Sequence, residues 1–85
     1  MKAKYIKTSN NVIIVFSELL QHSEFKDWNP VSAGFISIGI EKVEGYGHYQ
    51  PSCSCYGESI SLKLKSDEEK DTALARRQIL GEGFF

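Results

Sequence analysis

Cysteine is scarce in this chain: 85 residues contain two, Cys53 and Cys55, one position apart. Bonded to each other they would close a strained ring, and their spacing is not the Cys-x-x-Cys of redox and structural zinc sites. Both are read as free thiols that pack as small apolar side chains. His22 and His48 could add nitrogen ligands, but a structural tetrahedral site takes four ligands at firmer spacing, so no metal is assigned. An excess of one charge is missing too. Ten Lys and Arg stand against eleven Asp and Glu, for a net charge of −1, so there is no global basic field to hold a long polyanion. DNA and RNA are not expected partners. The longest apolar run, Val12 to Phe16, falls far short of the roughly 20 residues of a membrane span, and no apolar leader precedes it. A cytoplasmic protein without membrane contact is expected.

Catalytic signatures are equally sparse. Ser32, Ser59 or Cys55 can be sketched together with His22 or His48 and Glu58, yet none sits in a Gly-x-Ser-x-Gly elbow or a cysteine-protease motif. Strand-end hydroxyls that satisfy backbone groups explain these serines more simply. No catalytic residue and no cofactor is assigned, and a small hydrolase acting on a phosphodiester is the least favoured reading.

What is present suffices for an ordered core: 41% of the residues are hydrophobic and 12% aromatic, well outside the composition of disordered chains. At this length one domain, 1–85, is expected. Ala3 to Lys7 alternates, Thr8-Ser9-Asn10-Asn11 supplies turn chemistry, and Val12 to Phe16 is rich in β-branched residues, a hairpin pattern. Unbroken apolarity in the second strand predicts cover on both faces and a place inside the sheet rather than at its edge. Leu19, Leu20, Phe25 and Trp28 anchor a short helix or two turns, with Ser17 or Ser23 as candidate caps, and Asn29-Pro30 stops any helix. A long strand runs from Val31 to about Val43 and aligns Ile36, Ile38 and Ile40 on one face. Gly34 and Gly39 within it predict a bulge, a bend, or close approach of another backbone or a ligand.

After a flexible connection, Glu44 to His48, a strand is expected from about Ser52, just past Pro51, to Tyr56. A one-sided strand follows, with Ile60, Leu62 and Leu64 on one face and Ser61, Lys63 and Lys65 on the other. Ser66-Asp67-Glu68-Glu69 reads as a capping box with Ser66 as the cap, opening a helix to about Leu80 that stops at Gly81. The apolar residues of this helix gather into no narrow stripe, so its last turn unwinds or two of its faces are buried. The fold class is therefore α+β: a small antiparallel sheet of four to five strands, a short helix after strand 2, and a C-terminal helix. Phe84-Phe85 adds apolar surface, and a homo-oligomer would hide it.

The pattern with the most chemistry is an anion site. Arg76 and Arg77 offer permanently charged bidentate donors; Ser32 and Gly34 open the long strand; Gly57 and Ser59 form a corner where amides and a hydroxyl can meet an oxyanion. Tyr56 beside that corner, with Tyr46, Tyr49 and Trp28 elsewhere, offers a flat ring on which a base can stack. Helix-end complementation by Arg76 and Arg77 is the plainer alternative.

The succession YIKT, IIVF, HSEF, NPVSAGF, CYGES, SLKL and DTALARRQILG resembles the small uncharacterised proteins encoded by bacteriophages and prophages, over nearly the whole chain. That resemblance implies an anti-defence role. Compact phage proteins of this kind include the Thoeris and CBASS sponges, which sequester cyclic nucleotide or cyclic ADP-ribose signals in pockets between subunits without cleaving them. No motif of a particular sponge family is present, so no binding residue transfers from them. The expected function is sequestration of a phosphorylated small ligand at an oligomer interface in the host cytoplasm. The alternative is a protein–protein module that blocks a host factor through a strand edge or the apolar tail.

Overall fold

A computed structural model of the chain describes residues 1–43, 45 and 47–81. Four strands, β1 (Lys2–Thr8), β2 (Ile13–Phe16), β3 (Pro30–Val43) and β4 (His48–Tyr56), form an antiparallel sheet in the order β2-β1-β3-β4. Between β2 and β3 lies a 3₁₀ helix, His22–Trp28, and Asn29 in the left-handed conformation turns the chain into Pro30. A two-residue hairpin follows the sheet, β5 (Glu58–Ser59) with β6 (Leu64–Lys65). The chain closes with α1 (Glu68–Ala75), which continues as a π-helical turn over Arg76–Leu80 and stops at Gly81 with φ 74°. The protein is thus a small α+β fold, and the short helix after β2 is of the tighter 3₁₀ kind. Among the described residues no helix is long and apolar enough to cross a membrane. Glu44 and Tyr46 of the expected connection, and the Phe84-Phe85 pair, lie outside the described residues.

Successive side chains of a strand point to opposite faces, and both faces of this sheet are used. Ala3 and Tyr5 of β1 join Ile13, Ile36, Cys53 and Cys55 beneath Ala75, with Leu74 and Leu80 beside them. On the other face Ile6, Phe16 and Ala33 pack with Phe25 of the 3₁₀ helix and Leu62 and Leu64 of the small hairpin. The sheet is therefore the middle layer between α1 and a thin cover of irregular structure.

Several expectations are corrected. β2 is an edge strand; its continuous apolarity reflects cover above and below, Ile13 under the helix and Phe16 against the 3₁₀ segment. β4 begins at His48 and contains Pro51. Pro51 shares the parity of Cys55, whose N–H points away from β3 to the Thr72 hydroxyl, so a missing N–H there removes no ladder bond. The one-sided strand from Ile60 is a turn: the buried Ser59 hydroxyl accepts from Leu62 N at 3.2 Å and Lys63 takes φ 57°. That leaves Ile60 86% exposed. The cap of α1 falls one residue later than expected, at Asp67, whose carboxylate accepts from Lys70 N, while Ser66 Oγ donates to the Gly57 carbonyl. The 3₁₀ helix is capped at Gln21 rather than at a serine, its N–H bonded to the Glu24 carboxylate.

The helix seals the sheet laterally as well. Thr72 Oγ1 accepts from Cys55 N and Arg76 Nε donates to the Cys53 carbonyl on the outer side of β4. The Gln78 amide bridges Ile13 N and the Asn11 carbonyl along β2. Beyond Ile38, which pairs with Met1, β3 and β4 continue as a two-stranded ribbon, from Gly39 opposite Ser52 to Val43 opposite His48. This arm lengthens the molecule to 43 Å against 24 and 17 Å. On it Ile40 is 74% and Tyr49 67% exposed.

Candidate functional site

The alternation that sends Ala3 and Tyr5 under the helix sends Lys7 there too, and a cation beneath a helix needs an acid. Asp71 supplies it from α1, with no exposed surface of its own. Lys7 Nζ lies 2.8 Å from Asp71 Oδ1. Oδ2 accepts from Tyr5 Oη at 2.5 Å, Ser32 Oγ at 2.7 Å and Asp67 N at 3.1 Å. Burial by itself pushes the carboxyl up, but the Lys7 ammonium and the three donors outweigh it and hold Asp71 below the usual carboxylate range. Burial, then the Asp71 charge, drives the Tyr5 phenol above its ordinary range. The same two causes push the Cys55 thiol up to about 12. Cys53 and Cys55 are buried and form no disulfide with each other, and a buried thiol with a raised pKa, as at Cys55, is a poor nucleophile.

This hub aims Lys7 into a cleft of about 290 Å³ that Asn11, Lys70, Ala73, Leu74 and Arg77 complete. Lys70 and Arg77 stand seven residues apart, close to two helical turns, and so project from one side of the helix. Lys70 and Arg77 are exposed and, among the described residues, make no ion pair. Lys7 carries the one carboxylate partner in the group, which leaves the cleft with an excess of two positive charges. A guanidinium, two ammonium groups and an amide stand around a small aliphatic floor, a set of donors whose chemistry suits an oxyanion. Among the described residues no cluster of three His, Cys, Asp or Glu side chains is placed to hold a metal ion.

Of the residues singled out in the sequence, Arg77 lines this cleft. Ser32 is buried beneath it with its hydroxyl given to Asp71, so it steadies the hub. Arg76 is half-buried and committed to the Cys53 carbonyl. Gly34 is needed for close approach: a Cβ there would stand 2.4 Å from the Tyr56 carbonyl oxygen. Ser59 is buried and spends its hydroxyl on Leu62 N. Tyr56 and Gly57 belong to the other side of the sheet, where the Tyr56 ring stacks near Phe35 at 5.9 Å and Gly57 lines a cleft with His22 and Phe35. The seven residues therefore do not converge on one pocket.

Sequence reading missed Lys7, Lys70 and Asp71. Lys7 did carry a signal, since it stands in register with Ala3 and Tyr5 on a buried face. Compared with protein-family models, with curated proteins and with solved structures, the chain matches none.

Proposed function

We propose that the protein binds the phosphate group of a compact phosphorylated ligand in the cleft of Lys7, Asn11, Lys70 and Arg77 and holds that ligand without transforming it. The observation that carries this reading is the gathering of three cations around one small cleft, with a single ion-paired carboxylate among the described residues. The volume admits a phosphate with part of a sugar and leaves the rest of a larger ligand outside, where a second copy of the chain would close over it. The phage-type resemblance points to an immune signal of the cyclic nucleotide or cyclic ADP-ribose class, and sequestration in a homo-oligomer is the mode that class implies.

Calorimetric titration with a panel of cyclic nucleotides and cyclic ADP-ribose isomers, followed by chromatography of the released ligand, tests the proposal. Binding of one member, recovered intact and weakened at least tenfold in Arg77→Gln and in Lys70→Gln, is expected. Binding unchanged in both variants, or recovery of a cleaved product, overturns it. A second reading is favoured by the β3–β4 arm, whose exposed Ile40 and Tyr49 fit a protein–protein module that blocks a host factor. Under that reading Ile40→Lys abolishes capture of the factor, while the arginine and lysine variants keep it.

A further inference from the structure

We infer that the opposite face of the sheet carries a separate site for a planar heteroaromatic ring of the nucleobase class, in the cleft of about 600 Å³ walled by Lys4, His22, Phe35, Glu58 and Ser61. The site stands independently of the cationic cleft, from which the sheet divides it. Its volume lies within the range of small-molecule pockets, and its floor is a ring held in place from several sides. Tyr56 stacks beside Phe35 at 5.9 Å and 26°, and His22 meets it edge-on at 5.9 Å and 85°. Gly57 turns the chain away with φ 78°, and a Cβ on it would come within 3.0 Å of the Phe35 ring. The missing side chain at this corner thus leaves Phe35 its place.

The Phe35 ring lines the cleft beside Lys4 and Gly57, and the Lys2 ammonium lies 5.0 Å from its centroid. The walls supply polar groups of the kinds that a base edge demands. His22 places Nε2 2.8 Å from the Gly34 carbonyl; a carbonyl only accepts, so Nε2 carries the proton and Nδ1 is left as an acceptor. Burial, with the Lys4 charge, keeps the imidazole neutral by lowering its pKa. Lys4 Nζ gives one bond to the Leu20 carbonyl at 2.7 Å and has two donors left. Glu58 adds an acceptor and Ser61 a hydroxyl of either sense. Donors and acceptors around an aromatic floor complement a base, while the Glu58 carboxylate disfavours a phosphate at this position.

The test uses probes without phosphate. Adenosine, guanosine, cytidine and uridine are titrated into the full chain while amide resonances are followed by NMR. One nucleoside is expected to shift Phe35, Gly57 and Ser61 saturably, to bind at least tenfold more weakly to Phe35→Leu, and to lose its advantage over the other three in Glu58→Gln and Ser61→Ala. Should Phe35→Leu fail to fold, the two exposed variants decide alone, since neither Glu58 nor Ser61 belongs to a core cluster. No saturable shift with any nucleoside overturns the site. So do shifts confined to Lys7, Lys70 and Arg77, and a preference that survives both exposed substitutions. Failure here leaves the calorimetric result with phosphorylated ligands untouched, so the two sites are judged separately.

Discussion

Replacing Asp71 with alanine probes the part of the molecule on which the cationic cleft rests. The substitution removes a fully buried carboxylate and leaves Lys7, with 14% of its side chain exposed, facing a hole. Breaking a buried ion pair by deleting one partner costs about 3–5 kcal/mol. Lys7 can swing its ammonium toward water, which places it in the lower half of that range. The Tyr5 hydroxyl has no such escape and loses its acceptor, adding about 1–3 kcal/mol. The expected loss is about 4–7 kcal/mol, against a total stability of about 4–13 kcal/mol for a chain of 85 residues. Asp71→Ala should therefore be largely unfolded or melt some tens of degrees lower in circular dichroism. Asp71→Asn keeps the shape and still accepts from Tyr5 and Ser32, so it should lose less, and adding Lys7→Met should restore part of the loss because neither charge then remains buried. A loss below about 1 kcal/mol in Asp71→Ala, or no recovery in the double variant, would refute the assignment of Asp71 as the hub.

Stability should peak on a plateau from about pH 6.5 to 9. Groups with lowered folded pKa values stabilise above their unfolded values and cease to do so as pH falls, first His22 below about 6.5 and then Asp71 below about 4. Groups with raised values stabilise below theirs and cease to as pH rises, Cys55 above about 9 and Tyr5 above about 10. Urea midpoints measured from pH 3 to 11 check this, and a maximum near pH 5 would contradict it. Gly34→Ala should cost about 1–3 kcal/mol or more, because its Cβ meets a backbone carbonyl and not a yielding side chain; a thermal melt unchanged from wild type would count against the close approach. Cys53 and Cys55 should react with a thiol reagent at pH 8 only at the rate of unfolding, and rapid labelling of native protein would show that they are not sealed.

Much of the architecture was legible because it rests on local chemistry. The period of two in Lys2–Thr8, the β-branched run of β2, Asn29-Pro30 and the Gly81 stop each mark a boundary within a few residues of where the chain obeys it. Features set by distant partners were not. A strand covered on both faces looks central, and β2 shows that an edge strand under a helix looks the same. The alternation Ile60-Leu62-Leu64 was real but yielded to one buried hydroxyl, that of Ser59. At the candidate site Arg77 stood out by its charge, whereas Lys70 was one lysine in a mixed helix. Asp71 was hidden inside an acidic first turn that reads as dipole matching, and its purpose appears only once Tyr5, Lys7 and Ser32 are brought under it by strand pairing.

Because Thr72 and Arg76 close β4 and Gln78 closes β2, a single helix guards both margins of the sheet. Cys55 N–H and Ile13 N–H, on opposite borders, are therefore freed by the same event, the undocking of α1 with its π-helical turn. Their hydrogen exchange should share one opening free energy, as members of one cooperative unit. While that helix is seated, a foreign strand can add to β4 only along the arm beyond the reach of Arg76.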